Sequence, residues 1–164
     1  METTIRPATA GDAADLAGIY NHYVANTWLT FEERAVDARE MEQRRSAIVA
    51  AGLPWLVAEA SDGIIGFAYA ARWKERDAYH ASVESTIYLD PGRTGKGVGR
   101  QLYAALLESL RAASLHSVVG GISLPNEQSV RLHERLGFRK VAHFEQIGYK
   151  FERWIDVGYW QLLL

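Results

Sequence analysis

Apolar positions along this chain switch repeatedly between the alternation of strands and the three-to-four spacing of helices, and the switches predict its elements in order. Residues 3–8 read as a short first strand. Asp12 then offers an N-cap to a helix running toward Val24, in which Leu16, Ile19, Tyr20 and Tyr23 recur at helical spacing. Residues 26–34 are mixed and aromatic, with Trp28, Leu29 and Phe31, and read as a loop or broken helix. Asp37 caps a second helix with Met41, Ile48 and Val49 on its apolar side; Gly52 suits its C-terminal end and Pro54 stops it.

Residues 55–60 and 64–72 are apolar runs on either side of Ser61-Asp62-Gly63, which predicts a β-hairpin. Residues 73–80 form a polar, charged and aromatic connection. Residues 83–89 alternate, placing Val83, Ser85, Ile87 and Leu89 on one face and Glu84, Thr86 and Tyr88 on the other. Beyond a glycine-rich segment, Leu102, Ala105, Leu106 and Leu110 give the next helix an apolar stripe. Residues 118–123 are another strand. Asn126 then caps a short helix ending at Leu136, with Gly137 in left-handed geometry, and residues 138–144 and 154–163 read as two terminal strands. Strands interleaved with helices and closed by strands predict a single α+β domain over residues 1–164, built around a mixed sheet.

Composition narrows the partners. With 164 residues, 48% hydrophobic and 23% charged, the chain can bury a sizeable core. Eighteen Lys and Arg against twenty Asp and Glu, without a long run of one sign, argue against a dedicated nucleic-acid or membrane-surface protein, so any anion site is local. The absence of cysteine excludes disulfides, thiolate metal sites and a cysteine nucleophile. The start, Met1-Glu2-Thr3-Thr4-Ile5-Arg6-Pro7, has no basic region leading into an apolar stretch, and no segment is apolar enough to span a bilayer; a cytoplasmic location is expected. His22, His80, His116, His133 and His143 have no metal-ligand spacing, so no metal is expected.

The densest chemical signal is Ile87-Tyr88-Leu89-Asp90-Pro91-Gly92-Arg93-Thr94-Gly95-Lys96-Gly97-Val98-Gly99-Arg100, where a strand breaks into a basic, glycine-rich turn and opens a helix. Glycines let the backbone approach an anion, and free N–H groups at a helix start donate to it. A Walker A loop does not fit: Gly92 and Gly95 are too close, and Gly97 stands where a Mg²⁺-ligating hydroxyl is needed. Gly95, Gly97 and Gly99 alternate strictly, which also excludes the dinucleotide fingerprint. Thr94 through Gly99 instead resembles the [QR]-x-x-G-x-[GA] pyrophosphate loop of the GNAT N-acetyltransferase superfamily, with Thr94 in place of the usual Gln or Arg; Arg93, Lys96 and Arg100 could supply charge there.

A second segment, Asn126-Glu127-Gln128-Ser129-Val130-Arg131-Leu132-His133-Glu134-Arg135-Leu136-Gly137-Phe138, resembles the GNAT pattern N-x-x-[AS]-h-x-h-[YH]-x-x-x-G-F, where h is apolar. The resemblance implies a GNAT fold, with a mixed, mostly antiparallel central sheet of about six or seven strands flanked by helices. It implies acetyl-CoA as co-substrate, contacted by Ile87, Tyr88 and Leu89, by the loop from Arg93 to Arg100 including Gly95 and Val98, by Asn126 on the pantetheine arm, and by Ser129 alongside. It also implies a backbone N–H near Tyr88 or Leu89 facing the thioester carbonyl. Capping alone is the plain reading of Asn126, and Ser129 is equally read as an ordinary helical serine. His133 sits where many relatives carry a tyrosine near the thioester sulfur; the other reading is a partly buried structural histidine.

Acetyl transfer to an amine needs a base, because an ammonium ion has no lone pair. Glu84 interrupts an otherwise apolar strand just before the loop, where partial burial raises a carboxyl pKa toward a useful range; otherwise it is a strand carboxylate paired with Lys74 or Arg76. Expelling a thiol of pKa about 8.5 demands little acid assistance, which reduces what His133 is needed for.

Whole segments, among them Asn21-His22-Tyr23, Pro54-Trp55-Leu56-Val57-Ala58-Glu59, Val83-Glu84-Ser85-Thr86-Ile87-Tyr88 and Gly148-Tyr149-Lys150, are similar to the phosphinothricin and methionine sulfoximine N-acetyltransferases. That similarity implies a homodimer that acetylates the α-amine of a small amino acid bearing a phosphinate, sulfoximine or sulfone. Lys74 and Arg76 could bind the substrate's anionic groups, with Phe31, Tyr79 and Tyr88 walling the pocket and Glu84 facing the amine. The alternatives are a GNAT acetyltransferase for a protein N-terminus, ribosomal protein or polyamine, and a non-catalytic acyl-CoA-binding sensor.

Overall fold

The computed structural model describes residues 3–94 and 97–164; Gly95 and Lys96 of the expected loop lie outside them. In chain order the elements are β1 (Thr4–Pro7), α1 (Ala13–Asn26), α2 (Ala38–Ala50), β2 (Trp55–Ala60), β3 (Gly63–Arg72), β4 (Ser82–Leu89), α3 (Val98–Ala112), β5 (Ser117–Leu124), α4 (Glu127–Arg135), β6 (Arg139–Lys150) and β7 (Arg153–Leu163). The seven strands form one open sheet, within the expected six or seven, in the order β1-β2-β3-β4-β5-β7-β6. Every neighbouring pair is antiparallel except β4 and β5, which are parallel.

Each face of the sheet buries its own core. On one face α3 packs Leu102, Leu106 and Leu110 against Val83, Val118 and Ala68; on the other, α1 and α2 pack Leu16, Tyr20 and Met41 against Trp55, Val57 and Phe67. The alternation of β4 divides it between them, with Val83, Ile87 and Leu89 in the first core and Tyr88 in the second.

The parallel pair is short. β4 and β5 are in register only where Ser82, Val83 and Glu84 face Ser117, Val118 and Val119. Beyond Glu84, β4 stays with β3 as far as Leu89, while β5 stays with β7 as far as Leu124, so the two halves of the sheet part. A buried polar contact sits at the fork: the Ser85 and Tyr103 hydroxyls are 2.6 Å apart, and Ser85 also reaches the Val119 carbonyl at 3.4 Å.

Several local expectations change. Asp12 occupies the N-cap position of α1 but makes no side-chain cap bond. Its carboxylate instead accepts two 2.9 Å bonds from Arg6 and one of 2.7 Å from the Thr9 N–H, and the Arg6 guanidinium holds its pKa down at about 2. Val49 lies on the exposed side of α2, and β6 continues to Lys150 rather than ending near Phe144. The period failed in β6 because it is an edge strand, irregular at Lys140/Ala142 and Phe144/Gly148, with Gln146 at φ +48°. Its hairpin to β7 turns on Phe151 and Glu152, both left-handed at φ +51° and +57°, without the Asn-Gly signature of such turns.

Lys150 is 2% exposed, and its ammonium donates to the Val24 carbonyl in the last turn of α1 at 2.8 Å and to the Thr30 carbonyl at 2.9 Å. Two residues earlier, Gly148 lies beneath the Phe31 ring: a Cβ there would come within 2.2 Å of Cζ. Together these contacts seat the loop after α1 on the end of β6. Lys150→Met removes both donors and leaves two carbonyls without them, so it should destabilise the protein by about 1–3 kcal/mol in urea unfolding.

Candidate active site

The parting of β4 and β5 opens a cleft of about 310 Å³, lined by Glu84 to Leu89 on one strand and by Gly121 to Ser123 on the other. Tyr23 of α1 and Asn126, Ser129, Leu132 and His133 are also among its walls. The Tyr23 hydroxyl donates to the Leu89 carbonyl at 2.6 Å, with its ring 4.9 Å from that of Tyr88. Backbone direction alternates along β4. Because the Asp90 N–H bonds the Ile65 carbonyl on the β3 side, Tyr88 also points to β3, whereas the N–H groups of Ile87 and Leu89 point to the opened side. Of the two N–H groups implied by resemblance, only that of Leu89 faces the cleft.

At one end lies the start of α3. Gly97 is left-handed at φ +81°, and the first intrahelical bond runs from the Gln101 N–H to the Gly97 carbonyl at 3.1 Å. The N–H groups of Val98, Gly99 and Arg100 therefore have no acceptor within the helix, and its first turn carries no acid. Gly99 allows close approach, since a Cβ would lie 3.1 Å from Leu89 and 3.7 Å from Leu132. The Val98 side chain belongs to the core, Arg100 is exposed and Thr94 lines the cleft. Arg93 forms a two-pronged ion pair with Asp62 of the β2–β3 turn.

Asn126 caps α4 by accepting the Ser129 N–H at 3.2 Å, which leaves its amide N–H groups to donate. His133 is 4% exposed, edge-on to Tyr103 and Phe138 at 5.1 Å from each. Its Nδ1 lies 2.8 Å from the Ser129 carbonyl, which can only accept, so Nδ1 carries the proton and Nε2 is the free acceptor. Burial lowers the imidazole pKa, favouring the neutral ring.

A second cleft of about 310 Å³ adjoins the first, walled by Thr30, Phe31, Ile147, Val157 and Tyr159. Glu84 lines both clefts and is their one carboxylate among the described residues. Burial raises the Glu84 carboxyl pKa, with the Lys74 ammonium acting in the opposite direction. Lys74 itself lies 4.9 Å over the Trp73 ring, and Lys74, Arg76 and Tyr79 are exposed and line neither cleft. Glu84 meets Tyr88 in the first cleft and Phe31 in the second, so the expected wall is divided between the two, and the two cations line neither. Tyr159 and Ile147 joined the site without any sequence signal, since one sits in a terminal strand and the other at the irregular part of β6. Among the described residues, no group of three or more His, Asp or Glu gathers to hold a metal, and no helix is long and apolar enough to cross a membrane.

A helix start whose first three N–H groups have no intrahelical acceptor, and a cleft that reaches a part-buried carboxylate, are features suited to an anionic ligand and to proton removal. A family profile described as an acetyltransferase (GNAT) domain matches residues 5–158. The chain belongs to the GNAT acetyltransferase family. It is 42% identical over 163 residues to a phosphinothricin N-acetyltransferase of Streptomyces viridochromogenes, covering 96% of this chain and 85% of that protein. It is 37% identical to an L-methionine sulfoximine/L-methionine sulfone acetyltransferase of Salmonella typhimurium, covering 98% of this chain and 94% of the relative. Among solved structures, a GNAT phosphinothricin acetyltransferase from Sinorhizobium meliloti in complex with AcCoA superposes with a TM-score of 0.96 at 35% identity, over 100% of this chain and 89% of the other.

The ring of His133 depends on Gly120, where a Cβ would lie 2.5 Å from Nε2 and 2.8 Å from Cδ2. Gly120→Ala should therefore cost about 1–3 kcal/mol in chemical unfolding. Gly18→Ala, in a helix with nothing within 4 Å of the new methyl, should instead stabilise by about 0.4–1 kcal/mol.

Proposed function

We propose that the protein transfers the acetyl group of acetyl-CoA to the α-amine of a small amino acid whose side chain ends in a sulfone, sulfoximine or phosphinate. The observation that carries this reading is Glu84, a carboxylate of raised pKa standing where the two clefts meet. The first cleft suits a pantetheine arm and the second a compact acceptor. The named activities of the Streptomyces and Salmonella relatives support the acceptor class.

The residues fit the donor. The N–H groups of Val98, Gly99 and Arg100 offer anion-binding donors at the helix start, next to Thr94, and Asn126 retains free amide donors for the arm. When bound, acetyl-CoA supplies an activated thioester. The Leu89 N–H, held in β4 and aimed at the cleft, is placed to receive the thioester oxygen without reorganising. Glu84 takes a proton from the incoming ammonium, directly or through a water, and its raised pKa brings its basicity closer to the task. His133, neutral and pinned through Nδ1, shapes the wall; a thiol leaving group of pKa about 8.5 requires little acid. A homodimer is supported by the exposed aromatic pair of Tyr149 and Trp154 on the β6–β7 hairpin, 56% and 60% exposed with their rings 4.8 Å apart.

Thiol release in the presence of phosphinothricin, methionine sulfoximine or methionine sulfone, and its absence with lysine-rich peptides, is the expected result; turnover of peptides alone overturns the acceptor class. Glu84→Gln should lower kcat by about 10²–10⁴-fold while acetyl-CoA affinity holds. In the wild type, kcat/KM should rise with pH through the raised Glu84 pKa, an acid limb absent from the Gln variant. His133→Phe should lose less than Glu84→Gln.

The same shift has a consequence for stability. A carboxyl whose folded pKa lies above its unfolded value favours folding below the unfolded pKa, and that advantage is lost as pH rises through the folded pKa. Glu84→Gln should therefore melt at a higher temperature than wild type at pH 7, and the gap should close in acid.

A further inference from the structure

The two clefts share four lining residues, Leu29, Glu84, Gly121 and Ser123, and Gly121 is the one without a side chain. Its backbone does not call for glycine: it is not among the left-handed glycines of the chain, and it lies in regular antiparallel register with Tyr159. A glycine inside a strand weakens it, and a close approach by another group is the usual compensation. For the preceding Gly120 that group is the His133 ring. Alternation turns Gly121 to the other face of β5. There a Cβ would stand 3.1 Å from Tyr159 Cε1 and 3.4 Å from Glu84 Oε1, between the two side chains that bound the passage.

Neither neighbour yields freely. Tyr159 is held edge-on by Trp73 and by Phe144, each at 5.8 Å, and Glu84 sits on the last residue of β4 still paired with β5. A methyl at 121 would narrow the opening between them. We infer that Gly121 is a specificity-determining residue: the space left by its missing side chain admits the carbon that bears the acceptor amine, and so sets how much bulk that carbon can carry. This deepens the reading of Glu84 as base and of the second cleft as acceptor site, and rests on it.

The test is a series of primary-amine acceptors of graded bulk at that carbon, from glycine and alanine to methionine sulfone and phosphinothricin, with peptides beginning in Gly, Ala or Met in parallel. The wild type, Gly121→Ala and Gly121→Val are compared on each, with acetyl-CoA affinity and melting temperature as controls for donor binding and folding. For the bulky acceptors, Gly121→Ala should lower kcat/KM about tenfold more than for the small ones, chiefly through KM, and Gly121→Val should lower it further. Acetyl-CoA affinity should stay within about twofold, and the melting temperature, lowered by the 3.1 Å approach to Tyr159, should still leave both variants folded at the assay temperature. A loss equal for every acceptor, or no loss in Gly121→Val, overturns the inference. Transfer to peptides alone, with the size dependence intact among them, overturns the small-acceptor reading while sustaining the role of Gly121. Absence of transfer to any amine overturns both.

Discussion

The architecture turns on the parting of β4 from β5 immediately after Glu84. Each strand keeps its other partner, so the backbone groups that would have closed a parallel ladder are left facing a cleft. A strand with one open side is ordinarily a liability, because unpaired N–H and C=O groups are costly to bury. Here the molecule manages them individually. Tyr23 donates to the Leu89 carbonyl and the Ser85–Tyr103 pair fills the fork, while the N–H of Leu89 stays directed into the open side. The same break that weakens the sheet makes donors available to a ligand laid along β4.

Charge is distributed by the same geometry. The cleft begins at the start of α3, where helix N–H groups and an acid-free first turn favour an anion, and ends at Glu84, where burial disfavours one. A carboxylate held at a cost to folding is a common mark of a group kept for chemistry. Among the described residues, the cations near the loop and in the connection after β3 are occupied or exposed: Arg93 pairs with Asp62, Arg100 is exposed, and Lys74 lies over Trp73. Positive potential at the anion end therefore comes from oriented backbone as well as from side chains, and backbone donors carry no side-chain entropy cost when they bind.

The wall opposite Glu84 depends on contacts far apart in sequence. Lys150 and Gly148 near the end of β6 hold Thr30 and Phe31, and Tyr20 reaches Thr30 through a 2.8 Å hydroxyl contact. The loop after α1 has no regular structure of its own, so its shape is imposed by a strand more than a hundred residues away. Substitutions at Lys150 thus bear on the second cleft although the ammonium touches no residue of its lining except Thr30.

Local patterns were enough for much of this. The alternation of residues 83–89, the stripe from Leu102 to Leu110, the Asn126 cap and the Gly137 terminus are set by interactions within a few residues, and all were legible. So was the glycine-rich start of α3, because Gly97 is needed for its own φ and Gly99 for close approach. Side-chain competition was not legible: Asp12 left its cap for Arg6, and Lys74 and Arg76 are exposed and line neither cleft. Nor was the path of β6, whose edge position removes the burial that would have enforced a period. The chain by itself determined the helix and strand segments other than the full course of β6, the family, and the identity of Glu84 as the exceptional carboxylate. Only the tertiary structure decided that Glu84 stands between two clefts and that Gly121 lies between Glu84 and Tyr159, because each depends on which distant strands pair and where that pairing stops.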